Sequence, residues 1–139
     1  MKKILLLLVA VVMASVSLHA ERKVPGQKVG VEFDKTSYDF GTVSEDADPV
    51  KVEFNIKVTG SQPVSILSAT ANCGCTTPKY DRAPIRPGKT SKVKVSFIPK
   101  GQRGEVRKDV RIRLRNGADK SETVTVKLTG VVVPEKSRK

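Results

Sequence analysis

The chain has 139 residues and a formal net charge of +12 at neutral pH, from 26 Lys and Arg against 14 Asp and Glu. That length suits one domain. The single histidine, His19, falls within a leader-like segment, so a processed chain would have none, which excludes Ser-His and Cys-His catalysis and histidine metal ligation.

The first element is that leader. Lys2 and Lys3 form a positive head, Ile4 to Met13 is an unbroken apolar run of ten residues, and small residues follow before the charge at Glu21. This is the layout of a secretory signal peptide over residues 1–20, too short to span a bilayer comfortably. Cleavage is expected after Ala20, and cuts after Ala14 or Ser17 also fit. An uncleaved anchor is the competing reading. No cysteine follows the run at the new N-terminus, so a lipidated cysteine there is excluded. The expected location is outside the cytoplasm, periplasmic or secreted, with no transmembrane segment after cleavage. A flexible segment is expected over 21–30, one domain over 31–133 and a polar tail over 134–139.

From residue 29 on, alternation with a period of two dominates, and no helical stripe appears. "VGVEF", "YDFGTV" and "VSILSATA" are the weaker strand candidates. In "VKVEFNIKV", Val50, Val52, Phe54, Ile56 and Val58 share one face, and Lys51, Glu53, Asn55 and Lys57 the other. "KVKVSF" turns Val93, Val95 and Phe97 inward. "EVRKDVRIRLR" does the same with Val106, Val110, Ile112 and Leu114, Lys108 being the odd member. "ETVTVKLTG" buries Val124, Val126 and Leu128. Each is the pattern of a strand with one dry and one wet face. Turn chemistry separates them: Pro87-Gly88 suits a type II turn, and "PKGQRG" and "RNGADK" mark the next corners. Thr76 to Lys89, with Pro78, Pro84 and Pro87, reads as the longest irregular piece. About seven antiparallel strands in roughly 100 residues predict an all-β, immunoglobulin-like sandwich. With no Trp and two cysteines only two residues apart, an antibody-type domain does not fit. Large core volume must come from Phe33, Phe40, Phe54, Phe97, Tyr38 and Tyr80.

Taken together, "FDKTSYDFGTVSE", "VSILSATANCGCTTPKY", the Pro87-Gly88 turn, "GEVRKDVRIRLRN" and "VTVKLTGVV" resemble the bacterial DUF1573 family of exported proteins over residues 31–133. The most specific elements are Phe40-Gly41, Cys73-Gly74-Cys75-Thr76, Pro87-Gly88 and Leu128-Thr129-Gly130-Val131. Two turns depart from the usual pattern, at "KVTGSQ" and at Arg115-Asn116. The resemblance implies a single immunoglobulin-like domain related to the MSP and ASH group, and it assigns no catalytic residues or cofactor.

Cys73 and Cys75 are candidate functional or structural thiols. On an extended strand they would share a face, about 6.6–6.8 Å apart at Cα, at the upper edge of disulfide geometry. Gly74 can bend the chain and bring them closer. A bond closing three residues gains only ~1.6 kcal/mol of loop entropy, against about 3 for a 15-residue loop. Three readings stay open: structural thiols or a local disulfide, a redox couple, or a soft-metal pair such as a Cu(I) site. Lys79 and Arg82 are the nearest basic residues in sequence. Structural zinc within one chain is excluded for want of ligands.

Charge is uneven: residues 21–60 carry 6 basic and 8 acidic groups, whereas residues 79–139 carry 18 and 6. Arg107, Arg111, Arg113 and Arg115 share one side of the strongest strand pattern, with Glu105 and Asp109 interleaved. Lys92 and Lys94 would join them on one basic face if their strand lies in the same sheet. For an exported chain this face points to an anionic envelope component or an acidic protein, not to nucleic acid. An ordinary solvated face is the competing reading. The carboxylates are scattered, so acid–base catalysis is disfavoured and a non-enzymatic binding or structural module is expected.

Overall fold

The computed structural model describes residues 24–135. The leader, its cleavage site and the end of the polar tail lie outside the described residues. Eight strands form two four-stranded sheets: β1 (Val31–Phe33), β2 (Ser37–Ser44), β3 (Val50–Val58), β4 (Val64–Ala71), β5 (Thr76–Tyr80), β6 (Thr90–Phe97), β7 (Gly104–Asn116) and β8 (Ser121–Val133). One sheet has the order β1-β3-β6-β5 and the other β2-β8-β7-β4. The protein is thus an all-β, immunoglobulin-like sandwich. Among the described residues no helix is long and apolar enough to cross a membrane.

The alternating residues close on one another as their pattern requires. Phe54, Ile56, Val58, Val93, Phe97, Val110, Ile112, Leu114, Val126 and Leu128 are fully buried, drawn from both sheets. Phe33, Phe40 and Tyr80 pack against this core from its margin. Tyr38 stays at the surface, where the Lys35 ammonium lies 5.6 Å from its ring centre.

The structure differs from the sequence expectations in two places. The additional strand is β5, inside the segment read as irregular. Thr76, Pro78 and Tyr80 turn toward the core while Thr77 and Lys79 face out. β5 pairs only with β6, so it is an edge strand, where a proline can be accommodated because one row of backbone groups is unpaired. Second, the pairing is not wholly antiparallel, because β2 runs parallel to β8. The N-terminal strand changes sheets between β1 and β2, and Asp34 makes the break. Its backbone N–H donates to the Asn55 carbonyl (3.1 Å), and its carboxylate accepts both the Asn55 backbone N–H and the Asn55 side-chain amide (2.9 Å each). The side chain thereby closes the ladder to β3, and the chain is free to leave. Two residues on, the Thr36 carbonyl accepts from the Lys127 N–H and pairing with β8 begins. The segment expected to be flexible makes contacts with the sandwich from Gly26 onward. Val29 is buried in the core, and the Gly26 and Lys28 N–H groups donate to the Glu122 carboxylate (3.1 and 2.9 Å).

One close contact joins the two sheets. The Phe40 ring of β2 stacks on Phe97 of β6 with centroids 5.3 Å apart. It also lies against Gly130 of β8, where any Cβ would overlap the ring.

Candidate functional site

β7 is central in its sheet, and its outward residues form a ridge. Pairing sets their neighbours. On the β8 side Arg107, Arg111 and Arg113 stand opposite Thr129, Thr125 and Thr123, and Arg115 opposite Ser121. On the β4 side Arg111, Arg113 and Arg115 stand opposite Thr70, Ser68 and Ser65. The arginines therefore rise between two rows of short hydroxyl side chains. All four are exposed. Arg115 is held by Asp119, four residues on, whereas no ion pair involves Arg107, Arg111 or Arg113 among the described residues. From Arg111 to Arg115 the ridge spans about 13–14 Å at the rise of a strand.

Lys92 and Lys94 do not belong to this surface. They lie on β6, in the other sheet, and face outward on the opposite side of the sandwich. Lys92 is opposite Asn55 and Lys94 opposite Glu53 in the β3–β6 register. Lys92 forms an ion pair with Glu53 at 3.2 Å. The six basic groups are thus divided four and two between two faces that no flat ligand touches together. β6 and β7 are consecutive in sequence, but the Ile98–Arg103 connection carries the chain from one sheet to the other.

The ridge has one acidic interruption. Asp109 pairs across the ladder with Lys127, and its Oδ1 is buried with no hydrogen-bond partner among the described residues. It lines a shallow concavity with Thr70, Ala71, Asn72 and Arg111.

The second candidate begins at Asn72. Cys73 and Cys75 are joined by a disulfide, with their Cα atoms 5.4 Å apart. This is shorter than the extended-strand separation because the pair sits in the turn between β4 and β5, where the Thr76 N–H reaches back to the Cys73 carbonyl (3.4 Å). The Ile98 N–H donates to the Cys75 carbonyl (2.9 Å), tying the turn to the end of β6. Both cysteines are half-buried, and Cys75 packs against the core. In the bonded state neither sulfur is a thiolate ligand. Groups of three or more His, Cys, Asp or Glu able to hold a metal are absent among the described residues.

Sequence reasoning missed Thr76. It is the buried polar residue among the described residues, 4% exposed, and its Oγ1 lies 3.7 Å from Cys73 Sγ and 3.8 Å from Cys75 Sγ. The signal was present in "TTPKY", whose inward phase starts at Thr76, but only once that segment is recognised as a strand. Lys79 faces outward on β5, opposite Lys94 and on the other side of the strand from Thr76.

Two sheets of this connectivity, with the split N-terminal strand running parallel to the last one, define an immunoglobulin-like domain. The chain belongs to the DUF1573 family, described as a protein of unknown function, whose profile matches residues 31–132. Comparison with curated proteins finds no match. Among solved structures it is similar to the ASH/PapD-like domain 7 of human CEP192, at 17% identity and a TM-score of 0.64, covering 88% of this chain and 98% of that one. WR4, an MSP family member of C. elegans, matches at 8% identity and a TM-score of 0.54, over 75% of this chain and 98% of that one. The VesB protease of Vibrio cholerae matches at 10% identity and a TM-score of 0.61, over 73% of this chain. The chain spans 32% of VesB's length. At these identities the likenesses show the fold.

Proposed function

We propose that this protein is an exported, non-enzymatic binding module of the cell envelope, and that its working surface is the arginine ridge of β7. The observation that carries this reading is that, among the described residues, Arg107, Arg111 and Arg113 make no ion pair and their direct neighbours across the ladders are Ser and Thr. Short hydroxyl neighbours leave guanidinium groups standing clear. Each guanidinium offers a planar fork of donors suited to phosphate or carboxylate oxygens. The ligand class is therefore an anionic envelope component, with lipid headgroups, acidic glycans and acidic protein segments sharing that chemistry. Export is supported by the leader pattern of residues 1–20. A disulfide is likewise at home in an oxidising compartment.

The test uses vesicles containing an anionic phospholipid, a soluble acidic polysaccharide and a neutral-lipid control. Binding should fall as salt rises, because exposed charges are screened beyond about 8 to 10 Å near physiological ionic strength. Arg111→Gln with Arg113→Gln should reduce binding about tenfold or more, with stability changed by no more than about 0.5 kcal/mol. Binding that ignores both salt and the double substitution would return this face to an ordinary solvated surface. Intact mass of the protein from its native host should show loss of about 20 residues. A full-length mass in the cytoplasm would sink the export reading.

A further inference from the structure

A buried hydroxyl normally finds a strong partner, because leaving it unpaired away from water is costly. Among the described residues Thr76 has none: its Oγ1 contacts only the two sulfurs of the Cys73–Cys75 disulfide, at 3.7 and 3.8 Å. A disulfide sulfur is a weak acceptor, whereas a thiolate is a strong one. The site is therefore better matched to the cleaved bond than to the intact one.

Two further features agree. The bond links residues separated by 2 in sequence, so it constrains the unfolded chain little and opening it takes little from the fold. It is also accessible in part and asymmetric: Cys75 packs on the core, and Cys73 is not among the residues that do.

We propose that Cys73–Cys75 is a thiol–disulfide exchange site that accepts two electrons from an exported protein dithiol. The incoming thiolate attacks Cys73 Sγ, forming a mixed disulfide. The Cys73–Cys75 bond breaks, and its electron pair leaves on Cys75 Sγ. Thr76 Oγ1–H donates to that leaving thiolate, which then takes up a proton. The partner's second thiolate attacks its own sulfur in the mixed disulfide and releases Cys73 as a thiolate, which is protonated in turn. The partner dithiol is oxidised to a disulfide, and Cys73 and Cys75 are reduced to a dithiol. This site is independent of the arginine ridge as a binding surface, and neither stands or falls with the other.

The experiment treats the folded, oxidised protein with excess reduced glutathione and quenches with an alkylating agent at timed intervals, with mass spectrometry as the readout. The expected result is two alkylated thiols per chain while the protein stays folded by circular dichroism. Thr76→Val should slow reduction roughly tenfold or more, as loss of a hydrogen bond to a charged group implies, and Thr76→Ser should keep the wild-type rate. With oxidised glutathione, Cys75→Ser (free Cys73) should form a mixed disulfide quickly, and Cys73→Ser (free Cys75) slowly. A melting scan of each variant separates loss of fold from loss of chemistry. A bond that resists glutathione until denaturant is added would overturn the proposal. So would Thr76→Val reducing at the wild-type rate in a folded protein.

Discussion

At the scale of single residues, Gly130 shows how one position can hold the two sheets in register. The Phe40 ring occupies the space a side chain at Gly130 would need, and the same ring stacks on Phe97 across the core. Gly130→Ala must displace the ring or the strand. Overpacking of this kind costs about 1–3 kcal/mol, so the urea midpoint should fall accordingly. Phe40→Leu, a smaller side chain, should be less than additive with it because the two sites share one space. A wild-type midpoint for Gly130→Ala would mean that the ring moves freely. The sequence made both residues conspicuous, in Phe40-Gly41 and in Leu128-Thr129-Gly130-Val131, but not their contact. Period-two patterning assigns a side chain to a face, and it carries no information on which residue of another strand it meets.

Among elements, the strands with a strong alternation were legible to within about three residues at their ends, because burying one face of a strand leaves a direct trace in the order of apolar and polar side chains. β3, β6, β7 and β8 are of this kind, with buried cores at Phe54, Phe97, Ile112 and Leu128. β5 was not legible, since five residues containing a proline give too short a trace. The parallel run of β2 was hidden for a different reason, in that the break between β1 and β2 is made by one carboxylate. Burial pushes the Asp34 carboxyl up. Hydrogen bonds from the Asn55 side chain and backbone and from the Lys35 backbone, with the Lys35 charge, more than offset this and hold it below its ordinary value of 3.8. A carboxyl depressed in the folded state contributes stability that is present above its unfolded pKa of about 3.9 and is lost as pH falls through the folded value. Asp34→Ala should therefore be less stable than wild type at neutral pH, and the two should converge as pH drops below about 4. Urea midpoints measured from pH 7 to pH 2 check this. A gap that stays constant to the acid end would show that the ionised carboxylate is not what closes the β1–β3 ladder.

For the whole molecule, the two outer faces of the sandwich differ in how their charge is arranged. The β6 face sets Lys92 against Glu53, whereas the β7 face repeats arginine with little opposing charge between Arg111 and Arg115. Composition announced the excess of positive charge, and alternation announced which residues point outward. Neither could divide Lys92 and Lys94 from the arginines, because that depends on the Ile98–Arg103 connection changing sheets, and a crossing leaves the period of two unchanged on either side. The division has a thermodynamic consequence. Arg111 and Arg113 are about 6.7 Å apart along their strand, and like charges held together oppose the folded state. In the unfolded chain their Cα atoms can lie no more than about 7 Å apart, but their side chains are no longer held on the same side. Raising sodium chloride from about 10 mM to about 150 mM shortens the screening length from about 30 to about 8 Å and should relieve this repulsion. The melting temperature should then rise by a few degrees, on the order of half a kcal/mol for a domain of this size. Arg111→Gln with Arg113→Gln should melt higher than wild type at low salt and gain less from added salt. A wild-type melting temperature indifferent to salt, or a double variant that follows it in parallel, would show that the ridge stores no repulsion. A rise confined to wild type would show a surface that loses stability by keeping its arginines together, and an anionic ligand laid along the ridge would relieve the same repulsion.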